Sequence, residues 1–304
     1  MIFILLYNLY WGDELRDEQS IKNGSIVGKY RVVRLLTYGT NVFVYEVEYA
    51  GQRYIMKELF PECLYERNII RRTYSNRIIL NNKSKYFFWK QAKKEFLNYI
   101  CIGKELSCYP DFNETISDVA EVFCSNGTVY AVYPYKKCAD WECITGESYE
   151  LILKRCADIA DIIWKIHKHG WLLVDIKSSN FLVEEDGSIK LCDLDSMVKI
   201  SEIKNQYLFK CSSETAPREL LCGDVRYVSE KSDLYSLAAM LCTKITGKPY
   251  NNDTLKEMAG LITSWNKTVC NEFMDVLYEA LDDNVVNRHM NVKEFGEHIR
   301  KLVR

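Results

Sequence analysis

Three runs of β-branched and aromatic residues open the interpretable pattern: YRVVRLL (30–36), VFVYEVEYA (42–50) and RYIMKEL (53–59), broken at Gly39 and at Ala50-Gly51. Such side chains suit a pleated, half-buried surface, and glycine-containing breaks between them mark turns. The pattern predicts an antiparallel meander. Residues 67–85 are polar and rich in arginine and asparagine, which reads as a loop or insertion. The stretch 85–106 changes period: Phe88, Ala92, Phe96, Tyr99 and Ile100 fall on or near one helical face. VAEVFCSNGTVYAVYPY (119–135) predicts a hairpin closed at Asn126-Gly127.

Beyond Glu147 the chain turns helical. YELILKRCADIADIIWKIHKHG (149–170) predicts a long amphipathic helix stopped by Gly170. FLVEE and SIKLCDLD read as two short strands joined at Asp186-Gly187, and four helical segments follow from Lys231 onward. The resulting organisation is an extension over 1–27, a β-rich part over 28–135 that holds one helix, and a mainly helical part over 136–304.

Composition narrows the class without naming a function. With 48% hydrophobic and 27% charged residues, the chain has the makeup of a folded globular protein. A formal net charge of −2 gives no global pull toward nucleic acid or membrane. Although tyrosines are abundant, no stacking platform arranged with basic residues suggests nucleic-acid binding. The twelve cysteines include no C-x-x-C pair and no zinc-ligand spacing with histidine, which points to free thiols in a reducing cytoplasm. Cys63, Cys192 and Cys242 sit inside apolar runs, where a thiol packs as a small hydrophobe. Met1–Trp11 is apolar but about half the length that spans a bilayer, and it lacks a basic leader; it reads as an extra strand or helix packed on the first part, or as sequence upstream of the true start. The basic cluster Arg67, Arg71, Arg72, Arg77, Lys83 and Lys85 reads as a solvated insertion.

Chemistry concentrates in Val174-Asp175-Ile176-Lys177-Ser178-Ser179-Asn180-Phe181-Leu182, followed by a turn and Leu191-Cys192-Asp193-Leu194-Asp195. Phosphoryl transfer from ATP needs oxygen ligands for a hard cation on the phosphates and a carboxylate beside the incoming hydroxyl. Oxygen ligands from an Asp and an Asn at the ends of adjacent short strands suit a hard cation such as magnesium; the alternative is a solvated loop followed by a hairpin with incidental acids.

Taken together, these segments resemble a protein kinase, specifically a bacterial Ser/Thr kinase of the eukaryotic type. GKYRVVRLLTYGTNVFVYEVEYAGQRYIMKELFPE (28–62) is similar to the glycine-rich loop and the strand carrying the phosphate-binding lysine. KHGWLLVDIKSSNFLV (168–183) is similar to the catalytic loop, LCDLD to the metal-binding D-F-G, SETAPREL to the A-P-E segment, and EKSDLYSLAAML to the helix anchoring the catalytic loop. Five partial matches in family order over roughly 28–300 are far more specific than any one of them. The resemblance implies the two-lobed protein kinase-like α+β fold, with an antiparallel β-rich first lobe and a mainly helical second lobe. It implies that Asp175 accepts the proton of a Ser/Thr hydroxyl on a protein substrate and that Lys177 steadies the γ-phosphate. Lys57 would hold the α- and β-phosphates of ATP, while Asn180 and Asp193 would bind Mg2+ or Mn2+. Gly39, Val44, Tyr133 (the gatekeeper), Lys136 in the hinge and Leu182 at the pocket floor would complete the nucleotide site. Glu219 would pair with Arg288, and Asp233 would hold the catalytic-loop backbone. No nucleic-acid partner and no membrane are expected, and oligomeric state is left open.

The departures from the family pattern carry information too. Thr37 and Val42 replace two loop glycines, Leu173 and Val174 stand where His and Arg are usual, and Asp195 replaces the D-F-G glycine. Asp195 is read as facing solvent or bonding the local backbone. Without the arginine, phosphorylation at Ser201, Ser212, Ser213 or Thr215 would not act through the catalytic loop. For the helix carboxylate expected to pair with Lys57, Glu95 is the first candidate; an alternative register puts Tyr99 there, and Glu105 is a third option. These departures keep open a pseudokinase acting as a nucleotide-binding or scaffold module. A small-molecule phosphotransferase of the aminoglycoside or choline kinase type shares the Asp…Asn…Asp pattern, but the A-P-R-E segment, Asp233 and Arg288 argue against it.

Overall fold

In a computed structural model, residues 19–67, 70–81, 86–265 and 267–303 are described; Met1–Trp11, Lys83 and Lys85 lie outside them. The chain divides into two compact units, Met1–Cys108 with Ser117–Lys136, and Tyr109–Ile116 with Lys137–Arg304.

The first unit is built on strands β1 (Ile26–Val27), β2 (Tyr30–Tyr38), β3 (Val42–Tyr49), β4 (Gln52–Leu59), β7 (Glu121–Ser125) and β8 (Thr128–Pro134), antiparallel in the order β1-β2-β3-β4-β8-β7. The β3–β4 hairpin closes through Ala50 and Gly51, both at positive φ (51° and 77°), and the β7–β8 hairpin through Asn126 and Gly127 (53° and 79°). Two consecutive positive φ angles match the right-handed strand twist, so both tight turns form where the sequence places them. Alternation along β3 and β4 buries Phe43, Tyr45, Val47 and Met56, the cross-strand partner of Tyr45, on one side of the pleat.

Within the 67–85 segment, the described residues 70–81 are more ordered than their polarity suggests. A short helix α1 (Glu62–Glu66) precedes the segment, which forms a hairpin of β5 (Ile70–Arg72) and β6 (Ile78–Leu80). Ile70 and Ile78 are buried, and Ile78 N–H donates to Asn126 O at 2.6 Å. A Cβ at Gly127 would stand 2.5 Å from Ile78 O, so this docking needs glycine at 127. Arg72 is not part of a solvated face: its guanidinium donates twice to Glu58, at 3.0 and 2.6 Å, and Glu58 is fully buried. Tyr45 and Tyr130 hydroxyls complete the shell of Glu58 at 3.0 and 2.8 Å. An ion pair this complete is the reason an arginine can sit under the sheet. Ile21 and Val27, inside the expected extension, also join this core, with Ile21 N–H donating to the Tyr45 hydroxyl at 3.0 Å.

Helix α2 (Tyr86–Ser107) buries Trp89, Phe96 and Ile100, while Phe88 is exposed, one step off the buried stripe.

In the second unit, α3 (Tyr149–Lys168) is capped by Ser148 Oγ accepting from Leu151 N–H at 3.3 Å and ends before Gly170 at φ 78°. Strand β9 (Cys138–Asp140) pairs with β11 (Phe181–Glu184), which pairs with β12 (Ile189–Leu191), and β10 (Trp171–Leu172) pairs with β13 (Val198–Lys199). Helices α4 (Arg218–Leu221), α5 (Glu230–Thr246), α6 (Asn252–Trp265), α7 (Lys267–Ala280) and α8 (Val292–Leu302) complete it. Tyr109–Ile116, expected in the first part, belongs here because Leu191 N–H donates to Thr115 O (3.0 Å) and Lys190 Nζ to Glu114 O (2.7 Å). Where α8 crosses α3, a Cβ on Gly296 would come within 2.8 Å of the Ala160 Cβ. Cys156 and Cys242 are buried free thiols; Cys63, expected to pack as a small hydrophobe, is exposed because it lies on the outer side of α1. Among the described residues no helix is long and apolar enough to cross a membrane.

Candidate active site

Asp175 owes its position to the two elements beneath it. Asp233 is fully buried in the first turn of α5, and its carboxylate accepts Leu173 N–H at 2.8 Å, Val174 N–H at 2.9 Å and His167 Nε2–H at 2.8 Å. Ser196 Oγ holds the opposite side of the loop by donating to Leu173 O at 2.8 Å. The backbone then reverses over three residues: Asp175 N–H donates to Leu173 O at 2.9 Å, with Val174 between them at φ 70°. A left-handed φ is costly for a β-branched residue and persists only when its surroundings over-determine it. Those surroundings include an apolar cluster in which Val174 packs with Leu172, Ile203, Ala216, Leu220 and Val228.

Both carboxylate oxygens of Asp175 are engaged. Oδ2 receives Lys177 Nζ at 2.8 Å, and Oδ1 receives both the N–H and the hydroxyl of Ser212 at 2.8 Å each. Asn180 Nδ2 donates to Asp175 O at 2.7 Å, which leaves the Asn180 Oδ1 as its acceptor atom. Burial alone would lower the Lys177 amine, but the hydrogen bond to Asp175 and the charges of Asp175, Asp193 and Asp195 outweigh it and hold it above its ordinary value. Asp193 stands at the end of the β11–β12 hairpin, where its Oδ1 accepts Asp195 N–H at 3.1 Å. The Asp195 side chain forms a long ion pair with Lys210 at 3.7 Å as well as facing solvent. Desolvation, then the Asp193 charge, push its carboxyl above the usual range. Leu182 lies half-buried in β11, opposite Asp140 and Lys190.

Two of the four hydroxyls considered for phosphorylation turn out to be structural. Ser212 bonds Asp175, and Thr215, buried, donates to Ile176 O at 2.8 Å. The signal for Ser212 was its place in a hydroxyl-rich stretch just before A-P-R-E; nothing local marked its partner.

In the first unit, Lys57 Nζ donates to the Tyr99 hydroxyl at 2.7 Å and lies 4.7 Å from the Tyr99 ring centroid and 5.6 Å from that of Tyr133. Val44 is the direct cross-strand partner of Lys57. Glu95, one helical turn before Tyr99, accepts from Gln91 Nε2 at 3.1 Å. Gly39 sits in the β2–β3 connection, where its N–H donates to Val42 O at 2.9 Å. Tyr133 is buried at the end of β8, and Lys136 is exposed two residues past Pro134. The ion pair expected between Glu219 and Arg288 is present at 2.7 Å, with the arginine fully buried and also donating to Asp282 O at 2.7 Å.

Comparison with known proteins agrees with this anatomy. The protein kinase domain model matches residues 77–298. A probable serine/threonine-protein kinase of Clostridium perfringens is 25% identical over 205 residues, which is 62% of this chain and 30% of that protein. The rat cyclin-dependent kinase-like 2 is 30% identical over 107 residues, 34% of this chain and 20% of that one. The chain therefore spans about a third or less of the curated relatives it matches. Among solved structures, the apo form of PpkA-294 aligns with TM-score 0.67 at 17% identity, covering 94% of this chain and 100% of that one. The PknI kinase domain of Mycobacterium tuberculosis (a double mutant) aligns with TM-score 0.59 at 16% identity, again over 94% and 100%. With a family model spanning most of the chain, and a buried aspartate, a kinase-like loop and a buried Glu–Arg pair where that family has them, this chain belongs to the protein kinase domain family.

Proposed function

We propose that the chain transfers the γ-phosphoryl group of ATP to a serine or threonine hydroxyl of a protein substrate. The observation that carries this is the environment of Asp175. Its carboxylate is held by Lys177, anchored through its own backbone by Asn180, and already accepts a serine hydroxyl at 2.8 Å. A carboxylate at hydrogen-bond distance from a hydroxyl is placed to orient that hydroxyl and take its proton as the oxygen attacks phosphorus. Lys177, held cationic beside it, stabilises charge on the transferred group.

The residues present fit a divalent cation. Among the described residues no cluster of three His, Cys, Asp or Glu side chains forms a closed metal cage. Magnesium is ordinarily bound by one or two protein oxygens, with water and phosphate completing its shell. Asn180 Oδ1 and the Asp193 carboxylate are the atoms that would hold Mg2+ or Mn2+, which neutralises phosphate charge when bound. Lys57 is assigned to the α- and β-phosphates, and Val44, Tyr133, Lys136 and Leu182 to the adenine. Gly39 has ordinary backbone angles, and a Cβ there would only touch Val42 at 3.8 Å, so the fold itself does not demand glycine. Close approach of phosphate to the backbone gives that glycine a purpose. Eleven described cysteines are free thiols, which supports a cytoplasmic location.

The test is incubation with γ-labelled ATP and magnesium, followed by phosphoamino-acid analysis of the chain and of a mixed protein substrate. Label on serine and threonine supports the proposal. Nucleotide binding without transfer would replace it with a binding or scaffold role, and transfer only to small-molecule hydroxyls would replace it with a different acceptor class.

A further inference from the structure

Beside Asp175 the second unit holds a cleft of about 300 Å3 that the transfer chemistry leaves unused. Its walls are the loop residues Lys177–Ser179, the segment Ser212–Thr215, the 3-10 turn Trp141–Cys143 and one face of α5. Each wall is held from behind. Lys244 on α5 donates to Ile144 O at 2.8 Å and to Trp141 O, and Trp141, fully buried, donates its indole N–H to Glu147 at 2.8 Å. Glu142, in that turn, donates its N–H to Asp140 Oδ1 at 2.8 Å, and its carboxylate accepts the Ser178 hydroxyl. Across the cleft, Thr215 donates to Ile176 O at 2.8 Å while Ser212 bonds Asp175. The opening is therefore built into the fold and is not a gap between loose side chains.

Two exposed carboxylates, Glu142 and Glu214, line this cleft, and the one lysine among its lining residues, Lys177, is already in contact with Asp175 at 2.8 Å. Among the described residues Glu214 has neither a hydrogen-bond nor an ion-pair partner for its carboxylate. We propose that the cleft receives a basic side chain, arginine above all, that lies close in sequence to the acceptor serine or threonine of the protein substrate, with Glu142 and Glu214 as specificity-determining residues. The proposal rests on the reading of Asp175 as the carboxylate that orients the acceptor hydroxyl, because Lys177 and Ser212 belong to both places. A guanidinium carries its N–H donors in a planar fork and can bond carboxylates and hydroxyls together. Its methylene stem suits a lining that includes buried Met240. An acidic side chain would meet two carboxylates and a lysine whose charge Asp175 already balances, so the cleft selects by repulsion as well as by attraction.

The test uses the whole chain with γ-labelled ATP, magnesium and a peptide library that fixes one serine and scans the residues around it. At one position near the acceptor, kcat/KM with arginine exceeds that with alanine by about tenfold, the scale of one charge-assisted hydrogen bond, and aspartate falls below alanine. Glu142→Gln and Glu214→Gln each shrink the arginine-to-alanine ratio, and together they bring it within about twofold of unity, with the loss on the peptide KM. Glu214→Lys turns the preference toward aspartate. A structural role for Glu142 would slow both peptides alike and leave the ratio where it was; that result overturns the proposal, as does a wild type that shows no preference for a basic residue. If the wild type phosphorylates no peptide or protein, the kinase reading falls, and fluorescence anisotropy of an arginine peptide lacking the hydroxyl decides the cleft separately. Binding that weakens in the two glutamine variants supports the assignment, and binding that is absent or unchanged by them overturns it.

Discussion

Glu58 follows Lys57 on β4 and so points to the opposite side of the pleat, into the layer made by the β5–β6 hairpin. It is fully buried and accepts four hydrogen bonds, two from Arg72 and one each from Tyr45 and Tyr130. Arg72 is nearly as deep, with 5% of its side chain exposed. Replacing Glu58 by leucine strands a buried guanidinium, a change that costs about 3–5 kcal/mol. Arg72→Met strands the carboxylate and costs a similar amount. The double variant removes both charges and leaves two tyrosine hydroxyls without an acceptor and the carbonyls of Gln19 and Asn76 without the Arg72 donor, at about 1 kcal/mol each. The two substitutions should therefore be strongly non-additive, with a coupling of about 4 kcal/mol, where an exposed ion pair gives about 0–1. Urea denaturation, read by amide hydrogen exchange along β4, measures all four corners of the cycle. Single losses below about 1 kcal/mol, or a double variant as damaged as the sum of the singles, would refute the placement of this pair in the core.

Other substitutions separate structural from chemical roles. Asp233→Ala leaves the N–H groups of Leu173 and Val174 without their acceptor, at about 1–3 kcal/mol each, and activity should fall with thermal stability. Val174→Gly relieves a backbone strain of about 1–3 kcal/mol and loses about 1.5–2 kcal/mol of apolar burial. It should sit within about 1 kcal/mol of wild type, while Leu172→Ala in the same cluster costs about 2–5 kcal/mol in chemical denaturation. Ser201→Ala and Ser213→Ala should leave turnover unchanged, while Ser212→Ala lowers it by disturbing Asp175 directly; phosphomapping of the wild type shows whether any of these sites is modified. Burial pushes the Cys242 thiol up to about 12, so above pH 9 the unfolded chain loses a proton that the folded chain keeps. Stability contributed at this site is present below pH 9 and lost as pH rises beyond it, and Cys242→Val should flatten that alkaline slope in urea midpoints.

Most of the fold could be read from local pattern. Ala50-Gly51 and Asn126-Gly127 name their own hairpins, and the 3.6-residue period of 149–168 names its helix. The long-range partners of Asp233 and Glu219 were legible only through resemblance, since their contacts lie 59 to 69 residues away in the chain. What stayed hidden has one physical cause. Arg72 looks like any surface arginine because burial of a charge depends on a partner, and Glu58 is 14 residues distant in a sequence that gives no pairing signal. The same holds for Tyr99, whose helix phase was visible but whose hydroxyl contact with Lys57 depends on packing between α2 and β4.

Asp175 is proposed above as the carboxylate that prepares a serine or threonine hydroxyl for attack on ATP. The most direct measurement is the initial rate of phosphoryl transfer by Asp175→Asn against wild type, with ATP affinity measured alongside by calorimetry. The isosteric amide keeps size and hydrogen-bonding shape but cannot take a proton. The expected result is a rate loss of about a hundredfold or more with ATP affinity unchanged. Equal rates in the two proteins would contradict the role assigned to Asp175, and with it the account of how this site works.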